Sequence, residues 1–227
     1  MSARTKKKYT GPSLLEVVLG AALSVILGVA LGAAYLVFKP VQSVKSVPKD
    51  APSGAVYYIQ GARDFNNARE VAEKRKVLVA GGSVGVDEGE LNTFLDSANS
   101  PDSGGAPAKG AKAPPPSPKA FEVGALNARI HTGRIQFSDT VKFNVFGVTG
   151  SVVVQADGDF KKSGSVFAFD PDVIYVGGCP VQRLLFFRDW ILSKLLFAQP
   201  VPDDIAAAWS KLSDVTIDGS TLRLKMP

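Results

Sequence analysis

The chain has 227 residues, enough for one folded domain of ordinary size, and a formal net charge of +5. That charge sits at the N-terminus, where residues 1–40 hold Arg4, Lys6, Lys7, Lys8 and Lys39 against the single acid Glu16. The remainder, residues 41–227, is left with a net of only +1, which excludes the basic footprint of a nucleic-acid-binding domain.

The first predicted element is the run Leu14 to Phe38, with Glu16 as its one ionisable residue (counting Asp, Glu, Lys and Arg). As a helix it would be roughly 37 Å long, which spans the hydrocarbon of a bilayer with some tilt. A secretory signal has a shorter apolar region and ends at small residues, whereas this run continues to Phe38-Lys39-Pro40 and reads as a retained anchor. The bases before it place the N-terminus (a tail over residues 1–13) in the cytoplasm of a bacterial cell. Everything after Lys39 is then periplasmic or otherwise extracytoplasmic. Gly20, Ser24, Gly28 and Gly32 recur at four-residue spacing, a stripe of small side chains through which two such helices could pair as a homodimer.

Residues 39–54 form a predicted tether, and the exported domain covers residues 55–227. Ala55 to Ile59 reads as a strand, and Asp64 to about Lys76 as a helix with Phe65, Ala68 and Ala72 on one stripe and Arg69, Lys74 and Arg75 on a solvated face. A short strand then hands over at Asp87, an N-cap with Glu90 three residues on, to a helix whose apolar stripe is Leu91, Phe94 and Leu95. Residues 99–120 hold six prolines and no apolar side chain larger than alanine apart from proline, the composition of a disordered insert.

From Phe121 the pattern turns to β. Leu126, Ala128 and Ile130 alternate with polar positions, Thr132-Gly133 marks a turn, and Ile135 and Phe137 resume the alternation. Further predicted strands are Val141–Val148, Ser151–Phe160, Ser165–Phe169 and Val173–Val176, with turns at Gly147, Lys162 to Gly164 and Asp170-Pro171. Links this short imply antiparallel neighbours. Arg183 to Phe197 is a helix apolar in nearly every direction, so a concave protein surface or lipid must enclose it. A short helix, Asp203 to Lys211, and a hairpin turning at Asp218-Gly219 complete the chain.

Few residues announce chemistry. Gly81-Gly82-Ser83-Val84-Gly85 matches the nucleophile elbow of α/β-hydrolases, but that motif opens a helix within a parallel sheet, and here the helix begins at Asp87. The one candidate base is His131, placed in a strand before a turn, where a surface role suffices. Asp157-Gly158-Asp159 and Asp170-Pro171-Asp172 fit hairpin turns better than calcium ligands. One histidine and one cysteine do not make a zinc site, and Cys179 beside Gly177-Gly178 reads as a small buried apolar side chain. No cofactor motif and no catalytic set emerges, so the expectation is a binding protein and not an enzyme.

Two resemblances add to this. Gly11 followed by Pro12-Ser13-Leu14-Leu15-Glu16 resembles the start of a type IV pilin or pseudopilin precursor, but Pro12 stands where such precursors carry Phe or Met. Glu16 has a simpler account as a carboxylate in the first turn of a helix, favoured there by the helix dipole. The second resemblance rests on three segments: Val86-Asp87-Glu88-Gly89-Glu90-Leu91-Asn92-Thr93-Phe94-Leu95, Val176-Gly177-Gly178-Cys179-Pro180-Val181 and the terminal hairpin. Together they resemble the membrane-anchored YpmS-like proteins and the mycobacterial periplasmic phospholipid-binding proteins, related in shape to half of a tubular lipid-binding domain. The resemblance implies an α+β fold, a curved antiparallel sheet wrapped around an apolar helix, and an apolar groove. Leu91, Phe94, Leu95, Phe187, Trp190 and Ile191 would line that groove and hold a lipid or other apolar ligand. An envelope scaffold or protein-interaction subunit, pseudopilin-like or secretion-associated, is the alternative.

Overall fold

The computed structural model describes residues 11–52, 54–99, 121–145, 147–181, 185–198 and 201–227. Most of the N-terminal tail and of the proline-rich insert therefore lie outside the described residues. The fold is α+β, with one long N-terminal helix and curved antiparallel sheets.

Helix α1 (Leu14–Phe38) is long and apolar enough to cross a membrane, and the spanning window has no buried residue. Ser13 and Glu16 close a capping box at its start: the Ser13 amide donates to Glu16 Oε2 at 2.8 Å and the Glu16 amide to Ser13 Oγ at 3.2 Å. Glu16 thus has a defined local partner. The other end of α1 is docked. The Gly178 amide donates to the Leu36 carbonyl at 2.9 Å, and the Phe38 and Phe143 rings lie 5.4 Å apart. Gly177, at φ +59°, admits the Val37 carbonyl so closely that a Cβ would overlap it.

The stretch after α1 returns along the domain as a strap. Its β1 (Gln42–Ser43) pairs in parallel with β2 (Tyr57–Tyr58), so the predicted five-residue strand is reduced to two residues. A 3₁₀ turn (Phe65–Asn67) leads into α2 (Ala68–Val79). The predicted apolar stripe of this helix is corrected: Ala68 and Ala72 are exposed, and the inward face is Val71, Leu78 and the stems of Lys74 and Arg75. Long basic side chains can cover apolar surface with their methylenes while their heads reach polar partners. Next come β3 (Val84–Asp87) and α3 (Glu88–Asn99), joined by the expected capping box, with the Glu90 amide donating to Asp87 Oδ1 at 2.8 Å and the Asp87 amide to Glu90 Oε2 at 2.9 Å.

The large sheet contains β4 (Phe121–Glu122), β5 (Asn127–His131), β6 (Arg134–Val145), β7 (Val148–Ser163), β8 (Val166–Val176) and β9 (Cys179–Pro180), all antiparallel. The turns expected at Thr132-Gly133, Gly147 and Gly164 are present, with positive φ at each. The turn expected at Asp170-Pro171 is not. There β8 runs straight through, with a bulge in its pairing to β7 between Asp157 and Gly158. Gly158 lies against the Asp170 carbonyl and Pro171 Cα, where any Cβ would clash, and a proline is tolerated where the ladder is interrupted. Both Asp-containing triplets therefore sit in mid-strand rather than in hairpins.

One face of this sheet, with Ile135, Phe137, Val141, Val154, Ala156 and Ile174, is buried. Against it packs α4 (Leu185–Ile191) and its π-helical continuation Leu192–Leu196, which bury Ile191, Leu195 and Leu196. Phe197 stacks edge-on against Phe137 and Phe169, while Trp190, 48% exposed, faces away. A short α5 (Asp203–Trp209) follows. The terminal hairpin of β10 (Asp214–Asp218) and β11 (Thr221–Lys225) pairs with β3 to form a second, three-stranded sheet, and both sheets share one hydrophobic core.

Helix α3 also closes the free edge of the large sheet. Asn92, 1% exposed, acts as a surrogate strand: its Nδ2 donates to the Ala128 carbonyl at 2.7 Å and its Oδ1 accepts from the Ala128 amide at 2.7 Å. Glu88 accepts from the Ile130 amide at 2.7 Å, and the Gly61 amide donates to Asn127 Oδ1 at 2.7 Å. These bonds satisfy β5 groups that an open edge would leave free.

Candidate functional site

The candidate site is an apolar hollow where α2, α3, α5 and the small sheet meet. Val71 and Leu78 come from α2, Val84 and Val86 from β3, Leu91 and Phe94 from α3, Ile205 and Trp209 from α5, and Leu222 and Leu224 from β11. Each element contributes through its own periodicity: every second residue of a strand and every third or fourth of a helix faces inward. Trp209 is held by its indole N–H, which donates to the Phe167 carbonyl at 2.7 Å, and by an edge contact with Phe160 at 5.3 Å.

Three charged side chains stand at the rim, and each has an opposite charge beside it. Lys74 meets Glu90, which is 1% exposed, and lies 3.3 Å from Glu70. Burial alone would lower the pKa of the Lys74 ammonium, but the hydrogen bonds to Glu90 and Glu70 outweigh it and hold the group above the ordinary lysine value. Arg75 binds Asp204 through two nitrogens at 2.8–3.0 Å, which keeps that carboxyl below the usual aspartate range. The rim is thus close to neutral. Each of these charges is already matched within the protein.

The cavity measures about 110 Å³. That is below the roughly 300–1,000 Å³ of whole-ligand sites and nearer the ~150 Å³ that admits a benzene ring. A volume of this size accepts several carbons of one chain, with the rest of the molecule outside.

Of the six residues expected at a groove, Leu91 and Phe94 line this hollow. Leu95 packs half-buried against the core, Ile191 is buried in the α4 contact, and Trp190 is on the outer side of α4. Phe187 belongs to α4, but its side chain lies outside the described residues. The remaining lining residues were not singled out from sequence, because they are scattered over α2, β3, α5 and β11 and share no spacing. Only the alternation Leu222, Leu224 in the last strand offered a signal.

The other sequence candidates are separated. Ser83 precedes β3 and its hydroxyl accepts from the Met226 amide at 2.9 Å, whereas His131 is on the large sheet with Nε2 2.6 Å from Asp157 Oδ2. Arg134 reaches the same Asp157 at 2.8 Å and Asp172 at 2.6 Å. Asp139, 3% exposed on the buried face of β6, has its pKa pushed up to about 6 by burial, against the pull of the Thr140 and Gly124 amides. Cys179 is buried, which raises its thiol pKa. On α1 the Gly20, Ser24, Gly28, Gly32 stripe is exposed, with the Ser24 hydroxyl donating to the Gly20 carbonyl at 2.8 Å. No protein-family model, curated protein or solved structure matches the chain.

Proposed function

We propose that this is a membrane-anchored, non-catalytic binding protein for a lipid or other apolar ligand, held by α1 with its N-terminus in the cytoplasm and its domain outside the inner membrane. The observation that carries the reading is the hollow between α2, α3, α5 and the small sheet: apolar walls, a charge-balanced rim and about 110 Å³ of space. Its size narrows the ligand to one whose terminal carbons enter while the bulk stays at the surface, such as one acyl chain of a bilayer lipid. The neutral soluble part and the basic tail before α1 support the orientation.

The test is photo-crosslinking of the full chain in a bilayer with a fatty acid bearing a terminal diazirine, followed by peptide mapping. Adducts are expected on Leu91, Phe94 or Trp209, and Leu222→Trp, which fills the hollow, is expected to suppress them. Labelling confined to α1, or unchanged in the filled variant, would overturn the reading. The envelope-scaffold alternative is favoured by Trp190, a large apolar side chain 48% exposed on α4. A photoreactive residue at that position capturing a polypeptide, with no lipid adduct in the hollow, would establish it instead.

A further inference from the structure

A second cavity, of about 240 Å³, lies on the outer face of the large sheet beneath the strap. Its floor comes from β5, β6, β7 and β8, where Arg129, Gln136, Gln155 and Tyr175 share one face by register. Its roof is the strap, through Val56, Tyr57 and Ile59. The two halves differ in chemistry: polar side chains below, apolar and aromatic ones above.

Two observations on the floor point to a ligand. Gln155 is 1% exposed, its Oε1 accepts from Gln136 Nε2 at 3.2 Å, and its own Nε2 has no partner. A buried amide donor left unpaired is destabilising, so an acceptor is expected opposite it. Arg129 lines the same cavity, and its side chain makes no ion pair or hydrogen bond among the described residues. The one acid lining the cavity, Asp157, is already engaged by His131 at 2.6 Å and Arg134 at 2.8 Å, and the strap contributes no charge to the lining. The unmatched charge is therefore positive.

We propose that this cavity binds a small carboxylic acid with a flat apolar body, its carboxylate meeting Gln155 Nε2 and Arg129 and its body under Tyr57 and Val56. A carboxylate supplies the acceptor that Gln155 lacks and the negative charge that Arg129 lacks, and its two oxygens can serve both at once. A ring of benzene size fits the volume, since ~150 Å³ suffices for benzene itself. This site does not depend on the lipid reading, which concerns a hollow that shares none of these lining residues.

The probe is 4-fluorobenzoate, followed by ¹⁹F line broadening with the full chain in zwitterionic lipid nanodiscs and empty discs as reference. Saturable binding is expected, with a dissociation constant on the order of 1 mM for so small a molecule. Benzoate should displace it, and benzamidinium should not. Arg129→Gln should weaken binding about fivefold or more, the loss of one charge-assisted hydrogen bond. Gln155→Leu should weaken it about threefold or more. Arg129→Gln removes no described ion pair or side-chain hydrogen bond, so it tests the site even should Gln155→Leu misfold. Broadening equal to that of empty discs, or wild-type affinity in Arg129→Gln, would overturn the proposal and leave water as the partner of Gln155.

Discussion

Replacing Asp139 with asparagine probes a carboxyl that the fold buries with no ion-pair partner among the described residues. A rise in pKa from 3.8 to about 6 corresponds to about 3 kcal/mol at roughly 1.4 kcal/mol per tenfold change in ionisation constant. The folded state holds its proton to higher pH than the unfolded chain does. This group's contribution to stability is therefore complete below about pH 4, declines as pH rises through about 6, and is absent above that. Asp170, whose pKa hydrogen bonds to Lys161 and Arg188 depress, acts in the opposite sense and only on the acid side of about pH 4. The difference between wild type and variant isolates Asp139. Urea unfolding of the full chain, followed by tryptophan fluorescence from pH 4 to 8, should show Asp139→Asn gaining on the wild type as pH rises. At pH 7 the variant should lead by about 2–3 kcal/mol, and at pH 4 the two should nearly coincide. A constant difference across the range, or a variant that loses ground with rising pH, would refute the argument that burial governs this carboxyl.

Three further outcomes are expected. Asn92→Leu has a similar branched shape but leaves the Ala128 amide and carbonyl without their partner, and should cost about 3 kcal/mol of unfolding free energy, read from a lowered urea midpoint. Gly158→Ala drives a methyl into the Asp170 carbonyl; the loss should be about 2 kcal/mol or more, with faster amide exchange on β7 and β8 near the bulge. Gly177→Ala collides with the Val37 carbonyl and should undock α1 from the sheet, seen as new proteolytic cleavage between Lys39 and Val41 while the β core keeps its slow exchange.

What could be read from the sequence depended on whether the signal was local. Thr132-Gly133 and Asp218-Gly219 were legible because the chain needs positive φ at those turns and few residues supply it. The Asp87 and Glu90 box was legible for the same reason: its two partners are three residues apart. Asp170-Pro171 misled because proline marks an interrupted ladder as readily as a turn, and only the partner strand distinguishes the two. The pairing of β3 with β11 joins positions more than 130 residues apart, and no pattern in either segment names the other. The uniform apolarity of Arg183–Phe197 called for company on all sides, but could not say which side chains would meet the sheet. Both cavities suffer from the same limit, since each is assembled from elements distant in sequence. Asn92 and Gln155 carry no local mark of their burial, because a polar side chain on a helix or strand looks solvated until its neighbours are known.

The clasp between Leu36, Val37 and the Gly177-Gly178 turn changes how the domain would ride on a bilayer. With that clasp closed, stand-off from the lipid would be set by direct backbone contact, and extra residues between Lys39 and Val56 would not lengthen the molecule's reach. A lean of α1 would be transmitted to the strands as a lean of the whole sheet, so with α1 in a bilayer, as proposed, bilayer thickness would become a mechanical input to the orientation of both cavities.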